Sequence, residues 1–184
     1  MNNRQRKIRF MCEAGIIAAL YAVLTYVAAM MNLAYGEVQF RFSEVLTVLP
    51  VFTPAAVPGL TLGCFISNLA SPLGIVDWVF GSLATFLAAV TGRMLRKIEI
   101  NGIPFLSILM PVLFNAVIIG IEIICISDSG AFSFANASMA VFWPVAMSVG
   151  LGELVICVAL GIPFIVVLRK TGTAKRIFSD HNLK

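Results

Sequence analysis

Residues 139–168 read MAVFWPVAMSVGLGELVICVALGIPFIVVL, and Glu153 is the one charged residue among them. A run of about 20 apolar residues spans the hydrocarbon core of a bilayer. This run exceeds that, with room to tilt or to kink near Pro144 or Pro163. It is far too long for a buried strand. Working outward, similar runs occupy Ile16 to Leu33, Trp78 to Val90 and Phe105 to Ile126. The whole chain of 184 residues is 60% hydrophobic and 12% charged, with a mean hydropathy of +0.98. Soluble domains do not carry that much apolar material. A membrane β-barrel needs ten-residue alternating segments, and none is present. The composition therefore predicts an all-α integral membrane bundle.

The net charge of +4 is a topology signal. All of the 13 basic residues except Arg41 lie in three clusters. They are Arg4, Arg6, Lys7 and Arg9; Arg93, Arg96 and Lys97; and Arg169, Lys170, Lys175, Arg176 and Lys184. Each flanks an apolar run, the pattern of positive-inside loops. The basic pI gives no support for nucleic-acid binding. The four cysteines show no CxxC spacing, and His181 stands alone in a polar tail, so no metal site or disulfide is expected. The basic start and first apolar run read as an uncleaved first helix rather than a cleaved signal.

Six helices are expected. The first covers about 10–31. A loop over 32–42 contains Gly36, Glu37 and Arg41. A short second helix covers 43–52 and is broken by Pro54 and Pro58. Helix three covers about 55–69, helix four 77–95, helix five 105–127 and helix six 138–169. Residues 1–170 form one six-helix membrane domain, and 171–184 a cytoplasmic tail. Both termini and all three basic clusters then face the cytoplasm. The second helix, ~15 Å long if α-helical, is too short to face lipid along a full span.

Four of the nine acidic residues, Glu44, Asp77, Glu122 and Glu153, fall in or beside apolar runs. A charge at the centre of a membrane helix costs roughly 2.5–3.5 kcal/mol on insertion scales, and such residues mark functional sites. At 1.5 Å per residue, Glu153 lies ~24 Å from Arg169, Asp77 ~24 Å from Arg93 and Asn68 ~21 Å from Pro54. Asn115 and Glu122 lie ~16 and ~27 Å beyond Pro104. With Glu44, all six share the outer half of the membrane, and Trp78 and Trp143 join them.

Singly, most have a plainer role: Asp77 as a helix cap, the tryptophans as interfacial belt residues, the asparagines as bridges between helices, Glu122 as a wet residue near the surface and Glu44 as a partner of Arg41. Glu153, flanked by Gly150 and Gly152, is the hardest to explain in that way. Together they predict a pocket beneath the external face. Carboxylates and amides there would accept N–H donors while indoles stack on a flat ring, which suits a donor-rich, cationic heterocycle and not an anion.

Small residues recur on helix one at Ala14, Ala18 and Ala22, with Gly15 and Ala19 beside them. Gly59 and Gly63 form GxxxG on helix three. Such faces let helices approach closely, and internal packing is their first reading. The chain has no GxxxxGK[ST], HExxH or GxSxG, so neither ATP binding nor these catalytic or metal motifs are expected. No catalytic residue and no cofactor is assigned.

The segments RFSEVLTVLP (41–50), FTPAAVPGL (52–60), GCFISN (63–68), DWVFGSLAT (77–85) and GLGEL (150–154) resemble the QueT family. These are queuosine-precursor S components of energy-coupling-factor (ECF) transporters. The resemblance implies six helices and an external pocket partly covered by the first loop. It also implies docking on a transmembrane coupling subunit through AxxxA on helix one. Ala14 and Ala18 match that motif, as do Ala18 and Ala22 one turn on. Two ATPase partner subunits would supply energy, and the S component would topple to release its cargo. The implied cargo is 7-aminomethyl-7-deazaguanine or a close relative. Glu44, Glu122 and Glu153 would share recognition of its guanine-like edge and cationic arm, with Asn68 and Asn115 on the ring; which acid does which stays open. The alternatives are an autonomous proton- or cation-coupled carrier, an intramembrane acid–base enzyme and a purely structural subunit.

Overall fold

A computed structural model describes residues 2–34, 40–127 and 132–178. Gly36 and Glu37 of the first loop, part of the loop after the fifth expected helix, and His181 and Lys184 of the tail lie outside the described residues. Every regular element in the described residues is helical. In order they are α1 (Asn3–Met30), a 3-10 helix (Phe42–Val51), α2 (Ala56–Asn68), α3 (Ile75–Met94) and α4 (Phe105–Cys125). A short 3-10 turn (Phe134–Asn136) then leads into α5 (Met139–Ile156). A wide π turn (Cys157–Gly161) carries α5 into α6 (Ile162–Lys170), and α7 (Thr173–Ile177) follows.

Among the described residues, four helices are long and apolar enough to cross a membrane: α1, α3, α4 and the continuous rod Met139–Lys170. The 3-10 helix and α2 are shorter. The helix bodies therefore match the expected six, while full crossing length belongs to four. Their outer faces are apolar. On the rod, Met139, Trp143, Met147, Leu151 and Val155 form an exposed stripe at four-residue spacing. Such a surface suits lipid contact and would drive association in water.

The expected short second helix is a 3-10 coil of 10 residues. Runs this long are uncommon, and the ~2.0 Å rise stretches it to ~20 Å rather than ~15 Å. It threads the centre of the bundle, touching α1 to α5 and the π turn. Ser43, Glu44 and every residue from Leu46 to Val51 are buried. With Val48 of this coil, Tyr21, Phe52, Leu60, Cys64, Ile108 and Ile165 form the main apolar core.

The π turn explains the irregularity expected in the last long helix. Pro163 has no N–H for the carbonyl one turn back, and widening the preceding turn accommodates the loss. Pro144 lies within α5.

The small faces meet each other. Ala14, Ala18 and Ala22 are buried. A Cβ on Gly59 would come within 2.8 Å of the Ala14 carbonyl, and one on Gly63 within 2.7 Å of Tyr21 Cβ. The alanine face expected to be a docking surface is thus covered by α2 of the same chain. Gly15 and Ala19 lie on the exposed flank, and a Cβ on Gly15 would meet nothing within 4 Å.

Described members of all three basic clusters gather at one end. Arg9 Nη2 donates to the Ile177 carbonyl at 2.7 Å, and Arg93 Nη1 to the Pro50 carbonyl at 2.9 Å. Arg169 makes a bidentate pair with Glu99 at 2.6 and 3.1 Å, which holds that carboxyl below its ordinary range. A second acid sits at this end: Glu13 accepts from Thr53 Oγ1 at 2.9 Å and from Arg9 Nε at 3.0 Å. Residues 171–178, the described part of the expected cytoplasmic tail, turn back under the bundle. Ala174 and Phe178 join the core, and Phe178 stacks on Phe52 with ring centroids 6.3 Å apart. Asn101 and Gly102 both have positive φ, as a tight turn between α3 and α4 requires.

Candidate functional site

Away from the basic end, the polar residues predicted from sequence converge inside the apolar bundle. Arg41 begins the 3-10 helix and is 7% exposed. Its Nε donates to the Ala34 carbonyl at 3.2 Å and Nη1 to Asn68 Oδ1 at 3.4 Å, while Nη2 lies 3.8 Å from Asp77 Oδ2. Asn68 is the last residue of α2 and is fully buried. Its Nδ2 donates to the Asp77 carbonyl at 3.0 Å and to Oδ1 at 3.2 Å. Asp77 sits in the first turn of α3, where the helix dipole favours a carboxylate. Gly81 follows one turn later because a Cβ there would strike the Asn68 amide. Asp77 therefore does more than cap a helix: it clamps α2, α3 and the first loop together.

Glu44 is in the first turn of the 3-10 helix and is 2% exposed. Oε1 accepts from the Tyr21 hydroxyl, and Oε2 has no hydrogen-bond partner. The neighbouring Ser43 is held by Thr25 Oγ1 at 2.7 Å, and Thr47 Oγ1 donates to the Glu44 carbonyl at 2.6 Å. On the facing side, Asn115 Nδ2 donates to Glu153 Oε1 at 2.5 Å. Cys157 Sγ lies 4.0 Å from Glu153 Oε2. Glu122, on α4, is fully buried with neither oxygen hydrogen-bonded.

These groups form one electrostatic cluster. Glu153 is within reach of Glu44 and Arg41, and Glu122 within reach of Asp77 and Arg41. Four carboxylates from four helical elements thus face one buried guanidinium among the described residues. Buried charges need pairing or hydrogen bonds, and this set is short of donors. The arrangement suits a guest that brings N–H groups or positive charge. It offers no described group of three or more metal-ligating side chains.

The two tryptophans part company. Trp78 packs edge-on against Phe65, ring centroids 6.2 Å apart, and its buried Nε1 has no partner. Trp143 is 65% exposed on the outer apolar stripe of α5 and packs edge-on against its neighbour Phe142, so it does not join the cluster. The tie expected between Glu44 and Arg41 is replaced in hydrogen bonding by Tyr21. Tyr21 is the residue that sequence reasoning missed. Its signal was present: on α1 it continues the inward spacing of Ala14, Ile17 and Ala18, and a tyrosine in mid-membrane needs a partner for its hydroxyl.

A family model described as "QueT transporter" matches residues 11–170. A curated relative, the queuosine precursor transporter QueT of Lactococcus lactis subsp. cremoris (strain MG1363), is 38% identical over 81 residues. That match covers 44% of this chain and 47% of the relative, so the aligned region spans about half the relative's length. No solved structure matches.

Proposed function

The chain belongs to the QueT transporter family, and from that premise we propose that it captures a queuosine precursor for import, 7-aminomethyl-7-deazaguanine or a close relative. It is a multi-pass membrane transport protein and not an enzyme. In the proposed reading all six helices cross the membrane or line its interior, with both termini cytoplasmic. The cargo enters the acid cluster from outside. A transmembrane coupling subunit and two ATPase subunits of an ECF assembly supply the energy.

The observation that carries this reading is the imbalance of the cluster: among the described residues, four buried carboxylates stand against the one buried guanidinium of Arg41. A deazaguanine offers what they lack. Its ring edge presents an N–H and an amino group to one carboxylate, and an aminomethyl arm brings a positive charge. The relative named as a queuosine precursor transporter points the same way. The test is calorimetric titration of the detergent-purified chain with 7-aminomethyl-7-deazaguanine, guanine and adenine. Saturable binding of the first, tighter than of the others, is expected; no binding overturns the reading. Uptake into vesicles should require the ATPase partners, and uptake by the chain alone would favour an autonomous carrier.

Docking is proposed on the exposed flank of α1, where Gly15 and Ala19 lie beside the alanines. Ala14, Ala18 and Ala22 hold α2 against the back of that flank. Gly15→Leu is therefore expected to spare ligand binding and suppress uptake. Ala18→Leu is expected to lose both, because its side chain would enter the α1–α2 contact. Full uptake by Gly15→Leu removes the docking proposal.

A further inference from the structure

Three of the four acids in the cluster are engaged from within the chain. Asp77 faces Arg41 and the Asn68 amide. Glu44 is held at one oxygen by Tyr21, and Glu153 at Oε1 by Asn115, with the weak thiol donor of Cys157 4.0 Å from its Oε2. Glu122 differs in kind: it is 0% exposed, and both its oxygens are buried without a hydrogen-bond partner. The charges within its reach are Asp77 and Arg41, which already face each other.

An engaged carboxylate and a bare one suit different donors. A carboxylate fixed at one oxygen presents the other in a set direction, which matches a neutral N–H edge on a planar ring. A bare buried carboxylate lacks charge compensation, and an ammonium supplies it with three donors on a rotatable stem. We propose that Glu122 is the counter-ion for a positively charged arm of the bound ligand, while Glu44 and Glu153 read the ring edge. This assignment rests on the reading that the cluster holds a deazaguanine.

The test uses two probes that differ only in the arm: 7-aminomethyl-7-deazaguanine, which is cationic, and 7-cyano-7-deazaguanine, which is neutral. Both are titrated calorimetrically into the wild-type chain and the Glu122→Gln chain. The substitution should weaken the cationic probe by about 30-fold or more beyond any effect on the neutral one. Glu153→Gln should weaken both probes alike. Thermal stability of the ligand-free Glu122→Gln chain should not fall, since the amide keeps the shape and removes an uncompensated charge. Equal weakening of both probes by Glu122→Gln, weakening of neither, or a less stable ligand-free protein overturns the assignment. Should the neutral probe be too weak to register, retention of the cationic probe by Glu122→Gln overturns it. A wild-type chain that binds neither probe overturns the deazaguanine reading itself and this assignment with it.

Discussion

Arg41→Ala is expected to cost about 3–5 kcal/mol of stability, the range for removing one member of a buried charge pair. Against a total of about 5–15 kcal/mol, that is a large share. The loss comes less from the attraction of Arg41 and Asp77, whose closest atoms are 3.8 Å apart, than from what remains behind. Asp77 would keep only the Asn68 amide as a described donor to its side chain, and Asn68 Oδ1 would lose its contact with the guanidinium. Thermal unfolding in detergent measures the effect. A double-mutant cycle with Asp77→Asn separates it from lost packing. Neutralising Asp77 first should make Arg41→Ala much milder. Additivity within about 0.5 kcal/mol would show the two to be independent.

Glu153→Gln is expected to lower ligand affinity by about 2–5 kcal/mol, roughly 30-fold to several thousand-fold, while leaving thermal stability nearly intact. The glutamine carbonyl can still accept from Asn115 Nδ2. Its amide nitrogen then turns toward the space where a carboxylate oxygen stood. A ligand that offers N–H groups there meets a donor instead of an acceptor, and a buried unpaired donor is costly. Glu44→Gln should act in the same direction, because Tyr21 holds one oxygen and leaves the other to the guest. Unchanged affinity in both variants would remove these acids from the binding site.

The long apolar runs, the break at Pro54 and the turn at Asn101–Gly102 were legible because each is written in neighbouring residues. The convergence of Asn68, Asp77, Asn115, Glu122 and Glu153 was legible too, since a fixed rise per residue converts sequence position to depth. The partners of those residues were not. Arg41 and Asp77 are joined across the end of α2, and nothing local in RFSE favours that pairing over one with Glu44. The coil of FSEVLTVLPV was misjudged because 3-10 and α helices share nearly the same apolar pattern. The stripe Ala14, Ala18 and Ala22 reads first as internal packing, and α2 does cover it. The docking role that the family resemblance implies was not legible in the stripe itself, which shows that something approaches and not what. Trp143 shares the depth of the acids but points to the other side of its helix, a fact of rotation that depth alone omits.

The tight central coil also works as a strut. Glu44 stands near one end of it; at the other, the Pro50 carbonyl meets Arg93, and Thr53 just beyond meets Glu13. No loop interrupts the ten residues between Phe42 and Val51. In the proposed reading, a guest that pulls on the Glu44 carboxylate loads the far end of the same rod, about 14 Å away at Val51 at a rise of about 2.0 Å per residue. The acid cluster and the arginine-rich end would then share one rigid axis.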